Sequence, residues 1–256
     1  VNSKDSADIS EGRNRPRLID GRKCLFIASE VRCGSTFIAE TIAYELNKSC
    51  GFAFWALAKE RFSFVDENST ADEVMDVWRA MHIDTSGFST SKLMCKALSH
   101  IHRLANERDD VREAFFGENA YWIVVRRRDR IEQAISLALA AKTNTFHHYD
   151  DPQLAKDKDA ELTLAEMDWA LKAISMSDIY LQAFESSLPP ERTLSVFYND
   201  FLADEAGYVE KVHEMCALPV FDRANYVNES KLRPTARDVK KHYVEQLRQW
   251  FLAHFG

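Results

Sequence analysis

Long apolar runs are missing from this sequence. No stretch approaches the roughly 20 residues that span a bilayer, and the opening VNSKDSADISEGRNRPR lacks the apolar centre of a signal peptide. The chain is therefore expected in the cytoplasm, or peripherally at the inner face of a membrane. Cysteine is sparse and unpaired. The five cysteines (Cys24, Cys33, Cys50, Cys95, Cys216) are odd in number and include no CxxC, which fits free thiols in a reducing compartment and no zinc site. Positive charge is not in excess. Lys and Arg total 33 against 40 Asp and Glu, a net charge of -7, so nucleic acid is not an expected partner. Metal motifs are absent too: His100 with His102 and His147 with His148 cannot share a helical face, and the HEMC at His213 has no second His. There is no GxSxG elbow, and no His stands at a spacing assignable to Cys33, a conceivable nucleophile.

What is present begins at Lys23–Leu46, KCLFIASEVRCGSTFIAETIAYEL. Cys24–Ser29 suits a buried strand. A tight polar turn with Arg32, Cys33, Gly34, Ser35 and Thr36 follows, and Ile38, Ile42 and Leu46 then mark one apolar stripe of a helix. Such a turn directs unpaired N–H groups and the positive end of a helix dipole at one point, which makes it an anion site. Gly34 would allow close backbone approach, Ser35 and Thr36 add hydroxyls, and Arg32 adds a charged fork. A Walker loop would need GxxxxGK[ST], but Ser29 and Glu30 fall near its first Gly and no Lys follows Gly34. A phosphatase loop would need an Arg where Ala39 stands.

With 256 residues and 46% apolar content, one α/β domain over residues 22–256 is expected, behind a mobile leader at 1–21 that could also serve as an arm on a partner subunit in a homodimer. The stretch 51–64 is dense in aromatics. Thr70 with Glu73 reads as a capping box opening a helix over Ala71–Met81, and a further helix is expected over Ser91–Asn106. Tyr121–Val125 is apolar throughout, as a parallel strand covered on both faces must be, and runs into Arg126, Arg127 and Arg128. Asp129 and Glu132 then open a helix whose apolar face is Ile131, Ala134, Ile135, Ala138 and Leu139, with Gln133 and Ser136 together on one side. A long helix over Leu162–Leu188, a strand over Thr193–Tyr198, a helix over Glu205–Ala217 and a basic loop leading to a C-terminal helix complete the chain. Alternation of strands and helices implies a central, mostly parallel sheet flanked by helices in three layers, with ligands at the carboxyl ends of the strands. Both cationic turns would then face one crevice, suited to a ligand with two anionic groups.

These residues resemble the PAPS-dependent sulfotransferases (PAPS, 3′-phosphoadenosine 5′-phosphosulfate), and within them the bacterial trehalose 2-sulfotransferase and lipopolysaccharide sulfotransferase group. Arg32–Thr36 resembles the 5′-phosphosulfate loop, Glu40 matches a glutamate of its helix, and Arg127, Asp129, Gln133, Ala134, Ile135 and Ser136 resemble the 3′-phosphate motif. Lys92, Leu93 and Met94 match a KLM element between them. The resemblance implies a P-loop-like fold and sulfuryl transfer from PAPS, released as adenosine 3′,5′-bisphosphate (PAP), to a carbohydrate or glycolipid hydroxyl, without a metal. It implies that Arg32 stabilises the leaving phosphate, that Ser35 and Thr36 with the Cys33 and Gly34 backbone hold the 5′-phosphate, and that Arg127 and Ser136 clamp the 3′-phosphate. Cys33 stands where the family has Ser. The acceptor-activating glutamate matches Glu60 if an insertion is allowed, with His82 and Asp84 as fallbacks. A small-molecule or nucleotide kinase with a degenerate phosphate loop, and a non-catalytic nucleotide-binding protein, are the alternatives.

Overall fold

Four strands make the centre of the structure, a computed structural model that describes residues 23–50, 65, 68–82, 88–144, 160–228 and 238–255. The leader, the aromatic stretch with Glu60, and Asp84 lie outside the described residues, and of His82 only the backbone is described. The strands are β1 (Lys23–Ser29), β2 (Phe88–Met94), β3 (Ala120–Arg126) and β4 (Thr193–Phe197). They pair in parallel in the order β2-β1-β3-β4.

The helices are α1 (Ser35–Cys50), α2 (Ala71–His82), α3 (Cys95–Glu107), α4 (Asp109–Phe116), α5 (Arg130–Thr143), α6 (Leu164–Ser187), α7 (Tyr198–Ala203), α8 (Glu205–Met215) and α9 (Asp238–Phe255).

Alternation along the central strands divides the core in two, because successive side chains leave a strand on opposite faces. On one face Cys24, Phe26, Ala28, Trp122 and Val124 pack with Leu98 and Ile101 of α3, Phe115 of α4 and Leu181 and Phe184 of α6. On the other, Leu25, Ile27, Ile123, Val125 and Val196 meet the Ile38, Ile42 and Leu46 stripe of α1 together with Phe201 and Val212. Helices thus cover both faces, which gives the expected three-layer, P-loop-like arrangement. A third cluster joins Ala134, Ile135 and Ala138 of α5 to Met167, Ala170 and Ile174 of α6 and Val244 and Leu247 of α9. It docks the C-terminal helix against the helix that follows β3.

Capping chemistry sets the helix starts. The Thr70 hydroxyl accepts from the Glu73 N–H at 3.2 Å while a Glu73 oxygen accepts from the Thr70 N–H at 2.7 Å, the box expected from sequence. Asp129 accepts from the Glu132 N–H at 2.8 Å and so starts α5 directly after the arginines. Thr163 and Glu166 form a further box at the start of α6.

One expectation needs correction. Ser91–Asn106 does not form one helix: residues 88–94 are strand β2, and the helix begins at Cys95. FSTSKLM carries no apolar run, yet it pairs with β1 from Lys23↔Phe88 to Ser29↔Met94 and buries Ser89, Thr90 and Ser91. Pairing with a fully apolar neighbour decides the conformation here, as strand preference depends on context. Among the described residues no helix is long and apolar enough to cross a membrane.

Candidate functional site

Between β1 and α1 the chain turns through two residues in the left-handed region, Arg32 at φ 60° and Gly34 at φ 87°. For Gly34 the conformation is natural, and the space leaves no choice, since a Cβ there would lie 2.1 Å from Cδ2 of Tyr198. For Arg32 such a φ costs about 1–3 kcal/mol and persists only where neighbours impose it. Here they come from the turn after β3 and from α5: Arg127 Nη1 donates to the Arg32 carbonyl at 3.3 Å, and Gln133 Nε2 donates to the Val31 carbonyl at 2.8 Å.

From this backbone the Arg32 side chain reaches α5, where its Nε donates to Ser136 Oγ at 2.9 Å. The two turns that the sequence expects to face one crevice are therefore in direct contact. Ser35 is buried at the start of α1, and Thr36, one position on, accepts at its hydroxyl from Lys92 Nζ at 2.9 Å. Lys92 arrives on β2, so a segment whose sequence suggests a helix is instead the strand that delivers a cation to the first turn of α1.

The triple arginine divides by role. Arg126 pairs with Glu185 of α6 at 2.9 Å and lies over the Phe197 ring, which makes it a tie between sheet and helix. Arg128 is exposed and pairs with Asp200 at 2.6 Å. Arg127 turns toward the first turn, is 8% exposed, pairs with Glu132 at 2.7 Å and faces the Tyr198 ring; its Nε, like that of Arg126, is buried without a hydrogen-bond partner. A buried guanidinium donor without an acceptor carries a desolvation cost of about 1–3 kcal/mol, and an arriving anion would remove it.

Lys240, which the sequence reading did not single out, completes the cationic wall. It is 8% exposed on α9, and its Nζ donates to Ser136 Oγ at 3.3 Å. Ser136 thus accepts from two cationic groups, Arg32 and Lys240, and both lone pairs of its oxygen are engaged. Its hydrogen remains to be donated. Two cations and one hydroxyl donor meeting at a point are the donor set of a phosphate or sulfate group. Arg248 of α9 pairs with Asp129, the cap of α5, at 2.9 Å and helps hold the C-terminal helix in place.

Cys33 is 1% exposed, and its thiol contacts the Glu30 carbonyl at 2.9 Å. Burial pushes its pKa up, against a smaller opposing effect of a hydrogen bond with Ser35. A protonated, enclosed thiol is a poor nucleophile, so the nucleophile reading of Cys33 has no support in this geometry. Cys24, Cys33, Cys95 and Cys216 form no disulfide among the described residues.

Solved structures with a similar chain trace share little sequence with this one. A sulfotransferase from Alicyclobacillus acidocaldarius is 12% identical over 89% of this chain and 92% of its own, with a TM-score of 0.46. A mouse sulfotransferase complexed with PAP is 12% identical over 90% and 82%, with a TM-score of 0.43. The sulfotransferase domain of an olefin synthase from Synechococcus PCC 7002 is 13% identical over 91% and 96%, with a TM-score of 0.39. No curated protein matches the chain. The family model of the Stf0 sulphotransferases matches residues 76–248, well over half of the chain, including Lys92, Arg127, Ser136 and Lys240 but starting after the Arg32 turn. The chain belongs to the Stf0 sulphotransferase family.

Proposed function

We propose that this sulfotransferase moves a sulfuryl group from PAPS to a hydroxyl of a carbohydrate or glycolipid acceptor. The observation that carries the reading is the junction at Ser136, where Arg32 of the first turn and Lys240 of the C-terminal helix meet one hydroxyl beside the partnerless Nε of Arg127. In this reading Arg127, Ser136 and Lys240 receive the 3′-phosphate. The α1 N-terminus receives the 5′-phosphate through the backbone N–H groups of Cys33 and Gly34, the hydroxyls of Ser35 and Thr36, and the Lys92 ammonium held beside Thr36.

PAPS supplies an activated sulfuryl group whose departure leaves negative charge on the 5′-phosphate. Arg32 is the residue placed to meet that charge, because its guanidinium reaches from the 5′ turn to the 3′ clamp. Its fixed backbone keeps reorganisation small, which is how preorganised donors lower a barrier. In sulfuryl transfer, as in phosphoryl transfer, positioning and cations supply most of the catalysis.

Incubation with radiolabelled PAPS and a set of carbohydrate acceptors, starting with trehalose and lipopolysaccharide, should move label into the glycan. Label found only as free sulfate in every reaction would remove the acceptor class from the reading. Phosphate transferred from ATP in the presence of Mg²⁺ would favour the kinase instead.

A further inference from the structure

Large apolar side chains that reach solvent are gathered on one helix. Among the described residues six are more than half exposed, and three of them, Trp169 at 53%, Met176 at 71% and Ile179 at 64%, lie on α6. Val220 and Val227 lie in the loop after α8, and Leu252 on α9. Single exposed apolar residues are ordinary, whereas a cluster marks a surface that another molecule covers.

The inner side of α6 is already engaged. Met167, Ala170 and Ile174 pack with α5 and α9, and Leu181 and Phe184 pack in the cluster under β3 and α3. The exposed residues lie on the opposite side at regular intervals. Ala165, Trp169, Lys172, Met176, Ile179 and Ala183 follow one another at spacings that alternate between four and three, and all six are exposed. That is the spacing of a coiled-coil seam, carried through the whole helix. A surface helix needs one apolar stripe for its own core, and α6 has two.

Charge selects the orientation in which this seam can meet itself. Side by side in parallel, every residue would face its own counterpart, so Lys172 would oppose the partner's Lys172 in the middle of an apolar strip, a like-charge contact that specific interfaces avoid. Turned antiparallel, the spacing maps onto itself. Ala165 then meets the partner's Ala183, Trp169 the partner's Ile179, and Lys172 the partner's Met176, with small residues facing small ones at both ends. The Lys172 ammonium pairs with Asp168 of its own helix at 2.6 Å, so its methylene stem can cover a methionine while the charge stays at the edge. Beside the centre of the seam stand Ala173 and Ser175, small enough for close approach, and the Ser175 hydroxyl is already satisfied by the Leu171 carbonyl at 2.8 Å.

We propose that α6 is a self-pairing surface on which a second copy of this chain docks its own α6, antiparallel across a twofold axis. Such an interface is isologous, the same patch serving both copies. A strip one helix long, about 36 Å, is small beside the roughly 1,200 Å² and more that stable complexes bury, so the pairing is reversible in the micromolar range. Arg32, Arg127, Ser136 and Lys240 come from other elements and stay outside the seam.

Sedimentation of the full chain from low to high micromolar concentration should show a reversible monomer–dimer equilibrium. Met176→Glu should weaken it about tenfold or more and leave the melting temperature near wild type, because the side chain is exposed in the single chain. Lys172→Leu, which removes the charge from the seam, should strengthen it. Orientation is read by cross-linking under air oxidation: Ala165→Cys protein mixed with Ala183→Cys protein should give a disulfide-linked dimer. Ala165→Cys alone should not, since antiparallel pairing sets the two copies of residue 165 about 27 Å apart. A chain that stays monomeric throughout, a dimer indifferent to Met176→Glu, or cross-linking of Ala165→Cys to itself would overturn the proposal. Uptake of the monomer by phosphatidylglycerol vesicles, abolished by Met176→Glu, would also overturn it and make the stripe a lipid-facing surface.

Discussion

Arg32 Nε donates to Ser136 Oγ at 2.9 Å, a contact between residues 104 positions apart that welds the turn after β1 to the helix after β3. Because Ser136 also accepts from Lys240, any ligand held there senses three elements at once: the first turn, α5 and the C-terminal helix.

The proposed 3′-phosphate site is tested by ligand comparison. Ser136→Ala and Arg127→Ala each remove a charge-assisted contact worth about 1.5–3 kcal/mol, so calorimetry should show PAP affinity falling roughly ten- to a hundredfold. Affinity for AMP, which lacks the 3′-phosphate, should barely move. Equal losses for both ligands would place these residues elsewhere on the nucleotide.

Lys240 separates charge from packing. Lys240→Met keeps an unbranched chain against α5 and should leave far-UV circular dichroism unchanged while weakening PAP binding about tenfold or more, with AMP affected less. Wild-type PAP affinity in this variant would make Lys240 a structural residue.

Arg32 should matter more to rate than to binding. In the proposed reaction its guanidinium meets charge that develops on the 5′-phosphate, so Arg32→Ala should lower kcat by a larger factor than it weakens PAP affinity, and Arg32→Lys should recover part of the rate. A normal kcat with weakened binding would reduce Arg32 to a binding residue.

Gly34 tests the geometry of the turn. Gly34→Ala places a methyl group against the Tyr198 ring and forces an L side chain to φ 87°, so thermal denaturation should show a loss of about 1–3 kcal/mol together with loss of PAP binding. A Gly34→Ala protein with full stability and PAP binding would contradict this description of the loop.

Much of this site is legible in the residues themselves. β1 and β3 announce themselves because buried parallel strands are apolar throughout, and the caps at Thr70 and Asp129 mark their helices because short side chains must satisfy the first N–H groups. Arg32, Gly34, Ser35, Thr36, Arg127 and Ser136 follow from those two strand-to-helix turns. β2 does not announce itself, since Ser89, Thr90 and Ser91 gain their burial from β1 and not from their own hydrophobicity. Lys240 is equally silent: on a charged C-terminal helix nothing local distinguishes a buried lysine from a solvated one. The partner of Gly34 is hidden too, because Tyr198 comes from the end of β4 and meets the loop only through the sheet order.

A sulfotransferase site of the proposed kind should prefer a nucleotide with two separate phosphates. Thermal denaturation in the presence of PAP, AMP or ATP measures this preference, because a ligand that binds the folded state raises its stability by mass action. PAP should raise Tm well above the shift given by the same concentration of AMP or ATP, with no need for Mg²⁺. Equal shifts from PAP and AMP, or a larger shift from ATP with Mg²⁺, would contradict it.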